Sequence, residues 1–354
     1  MVFNKSGKLL KGYKFVLNGV ELEITNEYQY LGVKFIPSGS MILATDELCA
    51  KARRAWFSIS NLLYTNKIIP IARAVQLFDS LVTPVALYAS EFWLPCIMQK
   101  KCFTSEQNMF QFWETLRCET INQSMCRILL SVHSKASRLA VLGDLGRYPL
   151  YVPALQSCLS YRQSLSLKPS SSLVGLAMTE MAAMAGQGKD CWLSRVQSIE
   201  RLVKVPNNGS GLNSKTIGRH IRAKFTSFWL QQISAEKQGP DGLDHNKLRT
   251  YKQFKGFFGI EPFLGFVRNR SQRADLSRFR ISAHCLGVER LRYSRPPIPL
   301  DQRGCRFCGP PGPRIAIGSP GRGPVDDELH AITACSLMAA ERSELYQQMS
   351  NINP

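Results

Sequence analysis

Apolar and polar residues alternate at the start of this chain and change to a longer period after Ser40. The segment "YKFVLNGVELEI" holds two alternating runs around Asn18-Gly19. Asn-Gly favours a type I′ turn, whose two central residues both need positive φ, so the pattern predicts a β-hairpin. "EYQYLGVKFI" reads as a third strand, ended by "PSGS". A small antiparallel sheet must cover one of its faces, so the start of the chain reads as the middle of a domain. From there the period is helical. "DELCAKARRAWFSISNLLY" puts Leu48, Ala52, Ala55, Trp56, Ile59 and Leu63 on one helix face, with Lys51, Arg53 and Arg54 towards the other. "PIARAVQLFDSLVTPVALY" predicts a second helix, kinked or broken near Pro84. "SEQNMFQFWETLRCETINQSMCRILL" predicts a third, with Ser105 as its N-cap. Further helices fit "PLYVPALQSCLSYRQSL", "SSLVGLAMTEMAAMA" and "DCWLSRVQSIERLV". "VPNNGSGLNS" is a loop, and beyond it "SKTIGRHIRAKFTSFWLQQIS" and "LRTYKQFKGFF" predict basic amphipathic helices. The expected fold is mainly α.

Composition narrows the class. A chain of 354 residues with 44% apolar content can bury real cores, which argues against wholesale disorder. The most apolar stretch, "SLVTPVALYASEFWLPCIM", is interrupted by Pro84, Glu91 and Pro95, so it reads as core rather than as a membrane span. The opening residues contain no apolar secretion signal. The expectation is therefore an intracellular protein, nuclear or cytoplasmic, with no membrane partner. Net charge changes the picture further: +19, with a pI near 9.6. Twenty Lys or Arg against seven Asp or Glu lie between Arg201 and Gly304, so that third carries +13 of the excess. Charge concentrated this way points to a polyanionic partner. Within it, Arg268, Arg270, Arg273, Arg278, Arg280, Arg290, Arg292 and Arg295 offer planar forks suited to phosphate. Phe279 and Tyr293 are placed among them to stack on unpaired bases.

Candidate chemistry lies at the C-terminal end. Cys305, Cys308, His330 and Cys335 follow the pattern C-x2-C, a long Gly- and Pro-rich insert, then H-x4-C. Three thiolates and an imidazole suit a closed, tetrahedral, structural zinc site, and a long loop between the halves costs little entropy. Of the eleven cysteines, others such as Cys49, Cys126 and Cys158 fall in apolar helical patterns and read as small core residues. His133, His220, His245 and His284 fit no ligand pattern. There is no G-x-S-x-G, no Walker loop and no H-E-x-x-H. The acidic clusters "TDEL" and "VDDEL" sit in no strand–turn–strand context, so no catalytic residue is assigned.

Taken in order, several stretches resemble the region after the catalytic palm in reverse transcriptases of LINE-type, non-long-terminal-repeat retrotransposons. They are "NGVELEITNEYQYLGVKF", "LVTPVALYASEFW", "GDLGRYPL", "YKQFKGFF", "RFRISAHCLGVERLRY", and "CRFC" with "VDDELH". The resemblance implies four segments. Residues 1–41 would be a β-hairpin remnant of the palm, with Tyr30, Leu31 and Gly32 helping to hold the primer terminus. Residues 42–204 would be a helical, thumb-like bundle clamping the template–primer duplex, with Lys51, Arg53 and Arg54 among its nucleic-acid-binding residues. Residues 215–300 would be a basic helical region and 301–354 a Cys/His zinc module, together forming the RNA-binding tail. The parent enzymes are RNA-directed DNA polymerases whose catalytic Mg²⁺ is held by aspartates in a Tyr-x-Asp-Asp-like turn, which this sequence lacks. Leu291 stands where the family usually has Gly before an Arg-Tyr pair. The chain is thus expected to bind RNA and DNA without polymerising, as a truncated portion of such an enzyme. Two rivals remain: an unrelated zinc-dependent nucleic-acid-binding protein, and a non-functional pseudogene product.

Overall fold

A computed structural model of the chain describes residues 3, 12, 14–65, 69–205, 213–237, 244, 246–309 and 319–352. The loop expected at "VPNNGSGLNS" and His245 lie largely or wholly outside these residues. The architecture is mainly helical, as the periodicity predicts. Two separate two-stranded sheets come first, β1 (Val16–Leu17) with β2 (Val20–Glu21), and β3 (Tyr28–Tyr30) with β4 (Val33–Phe35). Helices α1 (Ile42–Thr65), α2 (Ile71–Leu81), α3 (Thr83–Ala86), α4 (Ser90–Ile97), α5 (Glu106–Gln111) and α6 (Arg117–Leu130) follow. Then come α7 (Arg138–Asp144), α8 (Tyr151–Ser166), α9 (Leu173–Gly186), α10 (Trp192–Val203) and α11 (Ser214–Ser234). The last part holds α12 (Tyr251–Phe254), α13 (Phe263–Phe266), α14 (Arg270–Arg280), α15 (Gly287–Arg290), α16 (Glu328–Thr333) and α17 (Ala339–Ile352).

The chain divides into two compact units, Met1–Met125 with Tyr148–Phe228, and Cys126–Arg147 with Trp229–Pro354. The first holds the hairpins and most of the segment expected as a thumb; the second holds most of the basic segment and the whole Cys/His segment.

In the first unit the Asn18-Gly19 hairpin forms as expected, with φ of 50° and 80° at the two turn residues. The third strand does not form as one strand. Leu31 and Gly32 take φ of 47° and 81°, which folds "EYQYLGVKF" back on itself as a second hairpin, β3–β4. Helix α1 buries Leu48, Ala52, Trp56, Ile59 and Leu63, while Arg53 and Arg54 stay exposed. The helix expected at "PIARAVQLFDSLVTPVALY" breaks at Val82, and Pro84 falls in the first turn of α3, where its missing N–H costs nothing. Ala89, at φ 54°, turns the chain into α4, which packs along α8. Trp93, Leu94, Phe110, Trp113, Tyr151 and Leu155 are buried here. Ser105 does cap α5, accepting from the Asn108 N–H at 3.1 Å. The single helix expected over 105–130 is instead α5, a 3₁₀ turn at Phe112–Thr115 and α6. Phe110, Phe112, Trp113 and Leu116 all point inward, a spread too wide for one helical stripe, and extended backbone at Leu116 resets the phase.

The second unit gathers distant stretches around buried charge. Asp144, at the end of α7, is fully buried; it accepts from Tyr251 Oη at 2.9 Å and pairs with Arg280 at 3.2 Å. Arg280 also pairs with Glu261 at 2.7 Å, and its guanidinium lies over the rings of Phe254 (4.6 Å) and Phe263 (5.3 Å). Lys255, 1% exposed, pairs with Glu261 and donates to Gly259 O at 2.7 Å. "GDLGRYPL", "YKQFKGFF" and "RFRISAHCLGVERLRY" therefore meet in one ion network. Gly146 is required beside it: at φ +59°, a Cβ would lie 2.4 Å from the Ile260 nitrogen. The expected basic helix at "LRTYKQFKGFF" shrinks to α12, because the chain leaves helical geometry at Lys255 to bury that ammonium against Glu261.

Candidate metal centre and basic surface

Two short segments build the Cys/His cluster. Cys305 and Cys308 lie on a tight loop, and His330 and Cys335 lie in and just after α16. Asp327 caps α16 by accepting from the His330 N–H at 2.8 Å, which fixes where the imidazole leaves the helix. The loop is held by backbone bonds from Cys305 N to Pro324 O (2.6 Å) and from Gly323 N to Cys305 O (3.0 Å). A Cβ at Gly321 would sit 2.1 Å from Cys305 O, so the end of the Gly- and Pro-rich insert packs its backbone directly on the loop.

One ligand atom from each of Cys305, Cys308, His330 and Cys335 lies within 4.8 Å of the others, and the cluster can hold a metal ion. Cys335 Sγ is 3.9 Å from both Cys305 Sγ and Cys308 Sγ. Thiolates about 2.3 Å from a tetrahedral metal would stand about 3.8 Å apart. Cys305 is 0% exposed and His330 8%, and His330 Nε2 is buried without a hydrogen-bond partner. A buried, unpartnered nitrogen on an imidazole that lies beside three thiols fits the chemistry of a metal ligand. The Ser336 hydroxyl and N–H (3.1 Å) pull the Cys308 thiol down to about 6, whereas burial pushes Cys305 up to about 11. Four protein ligands leave no open position, so the cluster suits a structural role.

The acidic cluster just before His330 fastens this centre to the basic segment. Asp326 accepts from the Gly287 N–H at 2.6 Å. Glu328, 0% exposed, accepts from Ser282 Oγ (2.7 Å), Thr250 Oγ1 (3.0 Å) and Arg249 (2.8 Å), and bonds His284 Nε2 at 2.9 Å. Burial alone would raise its carboxyl, but His284, Arg249 and Ser282 outweigh it and hold it at about 2. His284 thus serves this hub and is not part of the metal cluster.

The basic residues divide by environment. Arg268, Arg290 and Arg295 have no acidic partner among the described residues, and Arg268 and Arg295 are exposed. Arg270 is half-buried, and Arg273 is half-buried and donates to Val267 O at 3.2 Å. Arg278 is exposed and reaches Ser131 O at 2.9 Å and Asp275 at 3.1 Å. Arg280 is a correction to the sequence reading: its charge is taken up by Asp144 and Glu261. Arg292 likewise serves buried Glu289 at 2.9 Å. Phe279 is half-buried, its ring 5.6 Å from that of His284, while Tyr293 is exposed with Lys135 Nζ 4.4 Å from its centroid. In the first unit Tyr30 and Leu31 are exposed, the Leu31 carbonyl accepts from Tyr88 Oη at 2.7 Å, and Lys51 is half-buried. Cys49, Cys126 and Cys158 are buried, as expected. Among the described residues no single helix is long and apolar enough to cross a membrane. No protein-family model, curated protein or solved structure matches the chain.

Sequence reasoning missed Glu328 and Asp144 as organising carboxylates, and Lys135 as basic surface. The spacing of Asp327 to His330 was a usable sign of a cap. Nothing local announced the others, because their partners lie far away in the chain.

Proposed function

We propose that this chain is a nucleic-acid-binding protein whose basic unit is braced by one structural zinc, and that it corresponds to the thumb and RNA-binding tail of a LINE-type retrotransposon reverse transcriptase. The observation that carries the binding reading is the four-ligand Cys/His cluster, with its orphaned His330 nitrogen, closing directly behind the segment that holds +13 of the +19 charge. Zinc bound by Cys305, Cys308, His330 and Cys335 would fix the loop and α16 against each other; it supplies no chemistry. Exposed Arg268 and Arg295, with Tyr293 nearby in sequence, are suited to phosphate and to base contact. The ordered sequence resemblance supports the polymerase ancestry, and under it the β3–β4 turn at Tyr30, Leu31 and Gly32 takes the primer-holding role. The absence of a Tyr-x-Asp-Asp turn from the sequence makes the chain non-catalytic, because two-metal phosphoryl transfer needs converging carboxylates.

The test uses the full chain with labelled single-stranded RNA and an RNA–DNA primer–template duplex. Both should be bound at low salt, with no nucleotide incorporation in Mg²⁺ or Mn²⁺. Failure to bind either nucleic acid would overturn the binding reading, and metal-dependent incorporation would overturn the non-catalytic one.

A further inference from the structure

The second unit contains a cavity of about 450 Å³ whose charged lining is cationic apart from one carboxylate. Lys135, Lys247 and Arg290 border it, and Tyr293 organises two of them. Lys135 Nζ stands 4.4 Å from the Tyr293 ring centroid and Lys247 Nζ 5.8 Å, with Lys247 also donating to Lys135 O at 3.0 Å. The carboxylate is Glu289, which is 3% exposed and already shared by Arg292 (2.9 Å), Lys247 (3.5 Å) and Arg249 (3.9 Å). Lys135 and Arg290 have no acidic partner among the described residues. His133 adds a donor: its Nδ1 accepts from the Lys135 N–H at 3.0 Å, so in the neutral ring the proton sits on Nε2.

Holding uncompensated cations around a concavity is unfavourable by itself and becomes favourable when an oxyanion enters. The charged lining offers mainly donors, which is the complement of phosphate. The volume falls in the range of pockets for ligands far larger than a bare phosphate ion. Lys135 stands over the Tyr293 ring, so recognition at that face is electrostatic. We infer that this cavity binds one phosphate group of a nucleic-acid strand together with its attached nucleoside. The inference deepens the nucleic-acid reading and rests on it.

The test compares the full-length wild type with Lys135→Gln, Arg290→Ala and the charge-keeping Arg290→Lys. Lys135 is exposed, so Lys135→Gln should leave folding intact, and melting temperatures check each variant. Affinity for a labelled single-stranded RNA is measured across a salt series, and thermal protection by inorganic phosphate and by a nucleoside 5′-monophosphate is measured alongside. Loss of one single-strand phosphate contact should flatten the log–log salt slope by about 0.7 in Lys135→Gln and Arg290→Ala, with Arg290→Lys close to wild type. The nucleotide should protect the wild type more than phosphate does, and neither charge-removing variant should be protected. Wild-type RNA binding with unchanged affinity and slope in both charge-removing variants would overturn the cavity assignment while leaving the nucleic-acid reading standing. No RNA binding by the wild type would overturn both, and nucleotide protection in that case would assign the cavity to a free phosphorylated metabolite.

Discussion

Arg280 and Arg268 belong to one basic segment and have opposite fates. Arg280 lies between Asp144 and Glu261, and removing it would leave a fully buried carboxylate short of its cation. Arg280→Ala should therefore cost about 3 kcal/mol of stability by chemical denaturation. Arg268→Ala should stay within about 0.5 kcal/mol, and should lower RNA affinity instead. Equal stability in the two variants would contradict the assignment. The sequence could not separate them, because Asp144 lies 136 residues upstream of Arg280 and Glu261 reaches it only through the fold. The Cys/His cluster was legible for the opposite reason: C-x2-C and H-x4-C are each local, and each half is built by one turn of chain. Glu328 gives a pH prediction at the same scale. Its carboxyl is held at about 2 against an ordinary value of 4.5, so its contribution to stability is full above pH 4.5 and is lost as pH falls through 2. Wild-type stability should drop over that window more than that of Glu328→Gln, as followed by denaturation at stepped pH; parallel curves would refute it.

Helix existence followed from period, whereas helix breaks followed from packing. The faces of α1, α2 and α10 were readable because buried residues recur at helical spacing, as with Leu48, Ala52, Trp56 and Ile59. The Leu31-Gly32 turn was not, since nothing in "YLGV" forces a hydrophobic residue such as Leu31 into positive φ. Nor was the cap of α8, which has no side-chain cap from its own N-cap residue. Glu119 on α6 supplies it, accepting from the Tyr151 N–H at 2.9 Å while its other oxygen accepts from Asn122 at 3.0 Å. Glu119→Ala would take the acceptor from the buried Tyr151 N–H, and should cost about 1–3 kcal/mol in denaturant unfolding. A neutral result would remove Glu119 from the account of α8. The Cys/His loop and α16 form the corresponding joint in the second unit. Native mass spectrometry of the full chain should find one zinc, lost in Cys308→Ser, and a chelator should lower the melting temperature; a Cys308→Ser variant that keeps zinc and folding would refute the site.

At the scale of the molecule, charge rather than shape carries the functional reading. The excess of +19 is partly spent inside the fold, where Arg249, Lys255, Arg280 and Arg292 neutralise buried carboxylates. Composition pointed to a polyanionic partner; the described cations that lack an acidic partner, such as Arg268, Arg290 and Arg295 in the basic third and Lys135 outside it, are the ones such a partner would meet under the proposal. The most direct measurement is the affinity of the full chain for single-stranded RNA as a function of salt. Phosphate contacts release condensed counterions, so six of them would give a log–log slope of roughly −4. A steep fall of that order is expected, reduced by charge-removing changes at the cations without acidic partners and with RNA sequence preference unchanged. An affinity that stays flat from low to high salt would contradict it.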